Sequence, residues 1–133
     1  MDELHKELSK HRFSQAERSL RSAKLLINND DYEGAANRAY YAVFHAMRSV
    51  LALDEKDFSK HAGVISYFRR EYIKSGVFPV EASVIIGDAF DIRSDSDYDD
   101  DYNITKEDAE RLVNSVEKLL GWISEYLSNR WEK

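Results

Sequence analysis

Two arginines, a tyrosine and a histidine follow one another at three- and four-residue intervals: Arg38, Tyr41, His45 and Arg48. Because an α-helix turns by about 100° per residue, this spacing places the four side chains along one helix face. A pair of guanidinium groups can bind a phosphate, and an imidazole can exchange a proton near neutral pH. The spacing therefore predicts a site for a phosphate-containing ligand. The alternative interpretation is a polar seam against another helix or a second subunit.

A strongly acidic segment, residues 88–101, reads DAFDIRSDSDYDDD. Seven aspartates stand against one basic residue, Arg93, so this segment alone carries a charge equal to the −6 of the whole protein. Such mutual repulsion costs free energy unless a cation, a basic surface or solvation offsets it. We expect either a solvated loop or a recognition surface for a partner or ligand, with Asp95 and Asp97 as its candidate binding residues.

The alternating aspartates of this segment resemble the first ligands of a calcium loop, but the rest of that loop is missing. Counted from Asp95, the sixth position is Asp100 where a glycine is needed, and the twelfth is Lys106 where a bidentate glutamate belongs. The chain also has no cysteine, which excludes thiolate zinc sites and disulfides. We therefore predict no metal site and no cofactor.

Residues that break a helix are rare, with one proline and five glycines among 133 residues. Apolar residues recur every three or four positions, which favours amphipathic helices. We predict helices over residues 3–27, 32–53, 60–74 and 79–92, and a last helix after Thr105. Ser59 and Thr105 are the expected caps of the third and last helices. Short polar turns favour an all-α fold: an antiparallel bundle of about five helices in a single domain, residues 1–133.

Composition restricts the class of protein. A pI of about 5.2 argues against broad, sequence-independent binding of nucleic acid, which needs many basic residues on one face. No window approaches the roughly 18 apolar residues of a membrane span, and the first residues lack the apolar core of a signal peptide. We therefore expect a cytoplasmic protein without membrane contact.

Three separated stretches carry a family resemblance. They are NRAYYAVFHAMRSVLAL at 37–53, KHAGVISYFRREYIKSGVFP at 60–79 and IRSDSDYDDDYNITKEDAERLV at 92–113. In this order and spacing they resemble the small stand-alone prokaryotic HEPN proteins. The resemblance implies a bundle of about five helices that commonly forms a homodimer. It also implies a partner, because these proteins are often paired with a minimal nucleotidyltransferase in toxin–antitoxin modules.

Many HEPN proteins are metal-independent ribonucleases that act through an arginine followed, four to six residues later, by a histidine. The position that matches the motif arginine is Arg93, but the histidine is missing and Tyr98 stands where it would fall. A phenol with a pKa near ~10 is a poor base at neutral pH. Arg38 and His45 also satisfy the spacing, although they lie in the second predicted helix.

These observations leave three hypotheses for the function. The leading hypothesis is a homodimeric module that acts with a protein partner, a minimal nucleotidyltransferase, in a toxin–antitoxin-like or RNA- or nucleotide-linked system. The second is a metal-independent endoribonuclease in which Arg93 binds the phosphate and either Tyr98 or His45 takes part in proton transfer. The third is a nucleotide-binding module without catalysis, in which Arg38, Tyr41 and Arg48 contribute to binding.

Overall fold

The computed structural model describes the backbone of residues 2–98 and 103–132, and the side chains of 2–95 and 103–132. The described backbone forms five α-helices and contains no strand, which confirms the predicted all-α fold. The helices are α1 (Glu3–Asn28), α2 (Tyr32–Leu53), α3 (His61–Phe68), α4 (Val80–Tyr98) and α5 (Lys106–Trp131). A π-helical segment, Arg69–Ile73, continues α3.

A tight turn joins α1 to α2 and makes them antiparallel neighbours. Asp30 lies in the left-handed region with φ of 61°, a conformation that aspartate tolerates better than most residues. The Asp31 carboxylate then caps α2 by accepting a hydrogen bond from the Gly34 amide at 2.8 Å. A Cβ at Gly34 would lie 2.5 Å from an Asp31 carboxylate oxygen, so a larger residue at position 34 would displace the Asp31 side chain from this cap position.

The central helix of the bundle is α2. Fourteen of its 22 residues are buried, and it packs against the other four helices. Fully buried alanines recur every three or four residues along one side of α2 and let a neighbouring helix approach closely: Ala35, Ala39, Ala42 and Ala46. Because the remaining residues of α2 are polar or aromatic, the same helix supplies both the core and the predicted site.

The third predicted helix differs from the structure at both ends. It begins at His61, with Lys60 at the cap position and no side-chain cap bond, so the prediction that Ser59 caps it is wrong. Instead, the Phe58 side chain packs against the first turn of α3 at Gly63. A Cβ at Gly63 would lie 3.0 Å from the Cβ of Phe58. At the other end the Lys74 amide donates to the Arg69 carbonyl at 2.8 Å, the wider hydrogen bond of a π turn.

The fourth helix is longer than predicted. It continues past Ile92 to Tyr98, so the first part of the acidic segment is helical and Arg93 lies within α4. Apolar residues on its inner face, including Ile85, Ile86 and Ala89, are buried in the core and hold this helix despite its charge. Residues 99–102 lie outside the described part of the chain, as do the side chains of Asp97 and Tyr98.

The last helix begins as predicted. The Thr105 hydroxyl accepts a hydrogen bond from the Asp108 amide at 3.1 Å and caps α5. The buried face of α5 packs on α1, α2 and α4 and closes the bundle. Among the described residues, no helix is both long and apolar enough to cross a membrane.

Candidate functional site

The polar row predicted on α2 is present as a continuous face. The guanidinium carbon of Arg38 lies 5.1 Å from the centre of the Tyr41 ring, within the range of a cation–π contact. The rings of Tyr41 and His45 follow with their centres 6.1 Å apart. Periodicity alone therefore identified three side chains that lie together.

Arg48, the last member of that row, has a partner of its own. Its Nη2 donates to Asp57 Oδ2 at 2.7 Å, and its Nε donates to Asp57 Oδ1 at 3.2 Å. Arg12 of α1 reaches the same carboxylate at 3.3 Å. These contacts lower the pKa of Asp57, chiefly through the hydrogen bond from Arg48. Arg48 therefore contributes positive charge to the face, but it is already paired.

The side chain of Arg93, from α4, lies against the same face of α2. Its guanidinium carbon lies 4.8 Å from the centre of the Tyr40 ring and 5.6 Å from that of Tyr41. Arg93 and Arg38 also line a cavity of about 350 Å³, whose rim includes the carboxylates of Asp31 and Glu33. The motif arginine and the α2 row, predicted separately from the sequence, thus meet in one place.

His61, the first residue of α3, completes this cluster. Its Nδ1 lies 2.8 Å from the Tyr40 hydroxyl, and its ring centre lies 4.1 Å from that of Phe44. No motif or spacing in the sequence assigns a partner to His61. His61 and Tyr40 are 21 positions apart and on different helices, so no periodic spacing connects them.

Both histidines of the cluster have a lowered pKa. Burial is the main cause for His45, followed by the nearby Arg48 and Arg38. Burial is also the main cause for His61, followed by Arg93 and Arg48. Because the ordinary value is 6.5, both imidazoles are neutral at pH 7 and can accept a proton.

The other predicted site residues are described unequally. His45 is half-buried, and its Nδ1 is enclosed without a hydrogen-bond partner among the described residues. Asp95 is exposed on α4, two positions beyond Arg93. The side chains of Asp97 and Tyr98 lie outside the described residues. The structure therefore brings Arg38, Tyr41, His45 and Arg93 together and leaves the roles of the aspartates as predictions.

One group of side chains in the described part of the chain has the composition of a metal site: Asp2, His5 and Glu55. The His5 ring already contacts both carboxylates, with Nδ1 2.7 Å from Asp2 and Nε2 3.3 Å from Glu55. These contacts join the start of α1 to the residues after α2. We therefore describe the group as a surface ion-pair cluster.

Comparisons with known proteins agree on one family. The HEPN domain profile matches residues 9–126. A Methanocaldococcus jannaschii protein named "Putative toxin MJ0142" is 34% identical over 115 residues, covering 86% of this chain and 78% of that protein. A Thermotoga maritima protein named "UPF0332 protein" is 33% identical over 112 residues, covering 79% and 85%.

A solved structure shares the fold. The crystal structure of ST0689, an archaeal HEPN homologue, superposes with a TM-score of 0.66 over 90% of this chain and 97% of that chain. The two sequences are 19% identical. This likeness concerns the arrangement of helices and carries no information on activity.

Proposed function

This chain belongs to the HEPN-domain family, and from that premise we propose that it is a toxin-like module that cleaves RNA at the face shared by α2, α3 and α4. One observation carries the proposal: Arg93, at the position of the family's motif arginine, lies over Tyr40 and Tyr41 and close to the neutral His61. His45 follows Tyr41 on the same face. The name of the Methanocaldococcus jannaschii relative supports the toxin-like role.

The chemistry of the cluster suits RNA cleavage without a metal. Arg93 of α4 and Arg38 of α2 supply two guanidinium groups, each of which can donate hydrogen bonds to phosphate oxygens. Tyr41 offers an aromatic surface on which a base can stack. His45 and Tyr98 are the residues that sequence reasoning assigned to proton transfer. The exposed Asp95 and its acidic neighbours repel RNA, which suggests a role for them outside the phosphate site.

Cleavage of RNA by the purified protein in EDTA tests the proposal. Wild-type protein is expected to cut single-stranded RNA, and Arg93→Ala is expected to lose about 100-fold or more of that activity, because it removes a phosphate-binding charge. Arg21→Ala, an exposed arginine of α1, is the matched control and should cut at the wild-type rate. An inert wild-type protein would contradict the proposal.

We further propose that the module acts with a protein partner, a minimal nucleotidyltransferase, which restrains the toxin. The acidic residues after Arg93 are the proposed contact, because a basic partner surface would offset their repulsion. Purification of the tagged protein from its native organism should recover this partner. Recovery of the protein alone at physiological salt would count against this assignment.

The cavity lined by Arg38 and Arg93 supports a second candidate, the binding of a nucleotide without catalysis. Its volume of about 350 Å³ lies within the range of small-molecule sites. A nucleotide at ten times its dissociation constant would stabilise the fold by about 1.4 kcal/mol, which a thermal shift detects. We expect millimolar ATP to raise the melting temperature of wild type and not of Arg38→Ala. No shift in wild type would remove this candidate.

A further inference from the structure

We propose that His61 is the proton acceptor of this site: an imidazole from α3 that takes the place of the histidine missing from the α4 motif. This inference rests on the proposed RNA cleavage and names a residue for one step of it. Neither of the candidates chosen from the sequence, His45 or Tyr98, is needed for this step.

The two tyrosines of α2 link His61 to Arg93. Arg93 lies 4.8 Å from the centre of the Tyr40 ring, while His61 Nδ1 lies 2.8 Å from the hydroxyl of the same residue. Arg93 and the His61 ring are also 5.6 Å and 6.1 Å from the centre of Tyr41. Arg93 and His61 therefore lie on the same two tyrosines. A ligand between them would need hydrogen bonds of about 2.8 Å to each side chain. A single nucleotide can meet this requirement, with its phosphate at the guanidinium and its ribose at the imidazole.

The hydrogen bond to Tyr40 orients the His61 ring. In the tautomer with hydrogen on Nδ1, His61 donates to the Tyr40 oxygen, and Nε2 carries the lone pair that accepts a proton. Nε2 has no hydrogen-bond partner among the described residues. The imidazolium keeps the same bond to Tyr40, so proton uptake at Nε2 needs no rotation. Stacking on Phe44 at 4.1 Å holds the ring in place.

The surroundings keep His61 ready to accept a proton at neutral pH. Burial, Arg93 of α4 and Arg48 of α2 lower its pKa, and the phenols of Tyr40 and Tyr41 face it from α2. A bound phosphate next to Arg93 would oppose part of that positive charge and raise the pKa of His61 again. The base therefore becomes stronger when substrate is present.

His45 lacks such an orienting partner. It is half-buried on the same helix face, but its Nδ1 is enclosed without a hydrogen bond among the described residues. A general base is usually positioned by a second group that bonds the other ring nitrogen. Within this cluster only His61 has that arrangement in the described structure.

The proposed step transfers one proton and exchanges one phosphorus–oxygen bond. His61 Nε2 takes the proton of a ribose 2′-hydroxyl, and the 2′-oxygen forms a bond to the adjacent phosphorus while Arg93 binds the phosphate oxygens. The bond from phosphorus to the 5′-oxygen breaks, and that oxygen keeps the electron pair and takes a proton from water. The products are a 2′,3′-cyclic phosphate and a 5′-hydroxyl, and the imidazolium returns its proton to solvent.

Substitution of His61 tests the inference. His61→Ala is expected to lose about 100-fold or more of the cleavage rate, the usual effect of removing a general base, while its affinity for RNA stays unchanged. Added imidazole should restore part of the rate. In wild type the rate should rise with pH to a plateau, with a midpoint below 6.5, and this dependence should vanish in His61→Ala.

Three further variants separate a chemical role from a structural one. His61→Asn can retain a hydrogen bond to Tyr40 but cannot accept the proton, so it should be as slow as His61→Ala. Tyr40→Phe keeps the ring under Arg93 and removes the hydroxyl, and it should lower the rate less than loss of His61. His11→Ala, an exposed histidine of α1, is the matched control and should leave the rate and its pH dependence unchanged.

The outcomes distinguish this inference from the proposed function. If His61→Ala cleaves at the wild-type rate while Arg93→Ala is inert, His61 is not the base and RNA cleavage stands. If His61→Ala is slow but keeps the pH dependence and gains nothing from imidazole, the residue only positions others and the inference is overturned. If the wild-type protein is inert, both fall together.

Discussion

The neutral state of His45 and His61 affects the stability of the protein as well as its chemistry. Each has a pKa in the folded protein below the ordinary value of 6.5, so the unfolded chain binds more protons in this range. Stability is therefore highest above about pH 6.5 and is lost as the pH falls through the folded values. The pKa of Asp57 is lowered from 3.8, so this carboxylate affects the free energy of unfolding only at more acidic pH.

The predicted result is a lower free energy of unfolding at pH 5.5 than at pH 7.5, measured by urea denaturation. His45→Gln should reduce the difference, because it removes an imidazole whose pKa is lowered by burial and then by Arg48, Arg38, Arg12 and His11. His11→Gln serves as the control for removing an exposed histidine and should leave most of the difference. Equal stability of wild type at both pH values would contradict this prediction.

At the scale of single residues, the sequence predicted part of the site. Helical periodicity identified Arg38, Tyr41 and His45, because neighbours on one helix are set by local geometry. The motif identified Arg93. Nothing in the sequence identified His61, because its contact with Tyr40 depends on where α3 docks on α2. Contacts between helices are decided by packing, which spacing along the chain does not contain.

At the scale of elements, two helical glycines differ in what an added Cβ would meet. A Cβ on Gly34 would meet the Asp31 carboxylate at 2.5 Å, whereas a Cβ on Gly121 of α5 would meet nothing within 4 Å. Both residues lie in helices. The two positions therefore form a matched pair for the same substitution.

Gly34→Ala is expected to be less favourable than Gly121→Ala by about 1 kcal/mol, because displacement of the Asp31 cap offsets the gain in helix propensity. Gly121→Ala is expected to stabilise the protein by about 0.5 to 1 kcal/mol, because alanine favours the helix and meets no clash. Thermal or urea denaturation measures both. Equal effects with the same sign would show that the Asp31 cap does not decide stability at the turn.

The length of α4 is the main difference between the predicted and observed elements. The sequence predicted an end of the fourth helix near residue 92, yet the helix continues to Tyr98. Burial of Ile85, Ile86 and Ala89 and the contact of Arg93 with the tyrosines of α2 provide the compensation. These are tertiary contacts, and a local count of charges does not include them. The ends of α1 and α2 depended on local turn residues and were predicted to within one residue.

At the scale of the whole molecule, several large apolar side chains are exposed on and just before α4. Val77, Val80 and Val84 are 46%, 76% and 57% exposed, and Phe90 is 39% exposed. A homodimer is a proposal for this chain, and this stripe is its proposed interface.

If the proposed homodimer forms across this surface, Val84→Glu is expected to convert it to a monomer, because the substitution places a charge in the interface. Light scattering after size-exclusion chromatography measures the mass. Leu25→Glu, an exposed leucine of α1 with 62% exposure, is the matched control and should remain dimeric. A wild-type monomer at high concentration would contradict the homodimer, and a dimeric Val84→Glu would contradict this interface.

The burial of α2 has a mechanical consequence for regulation. This helix is enclosed by its neighbours on most sides, so it cannot shift without disrupting the core. Arg93 and His61, in contrast, are carried by α4 and α3, each of which meets α2 along one side. Displacement of either outer helix would therefore change the site without disrupting α2. Because α4 continues into the aspartates after Arg93, a protein bound to those aspartates would act on the helix that carries Arg93.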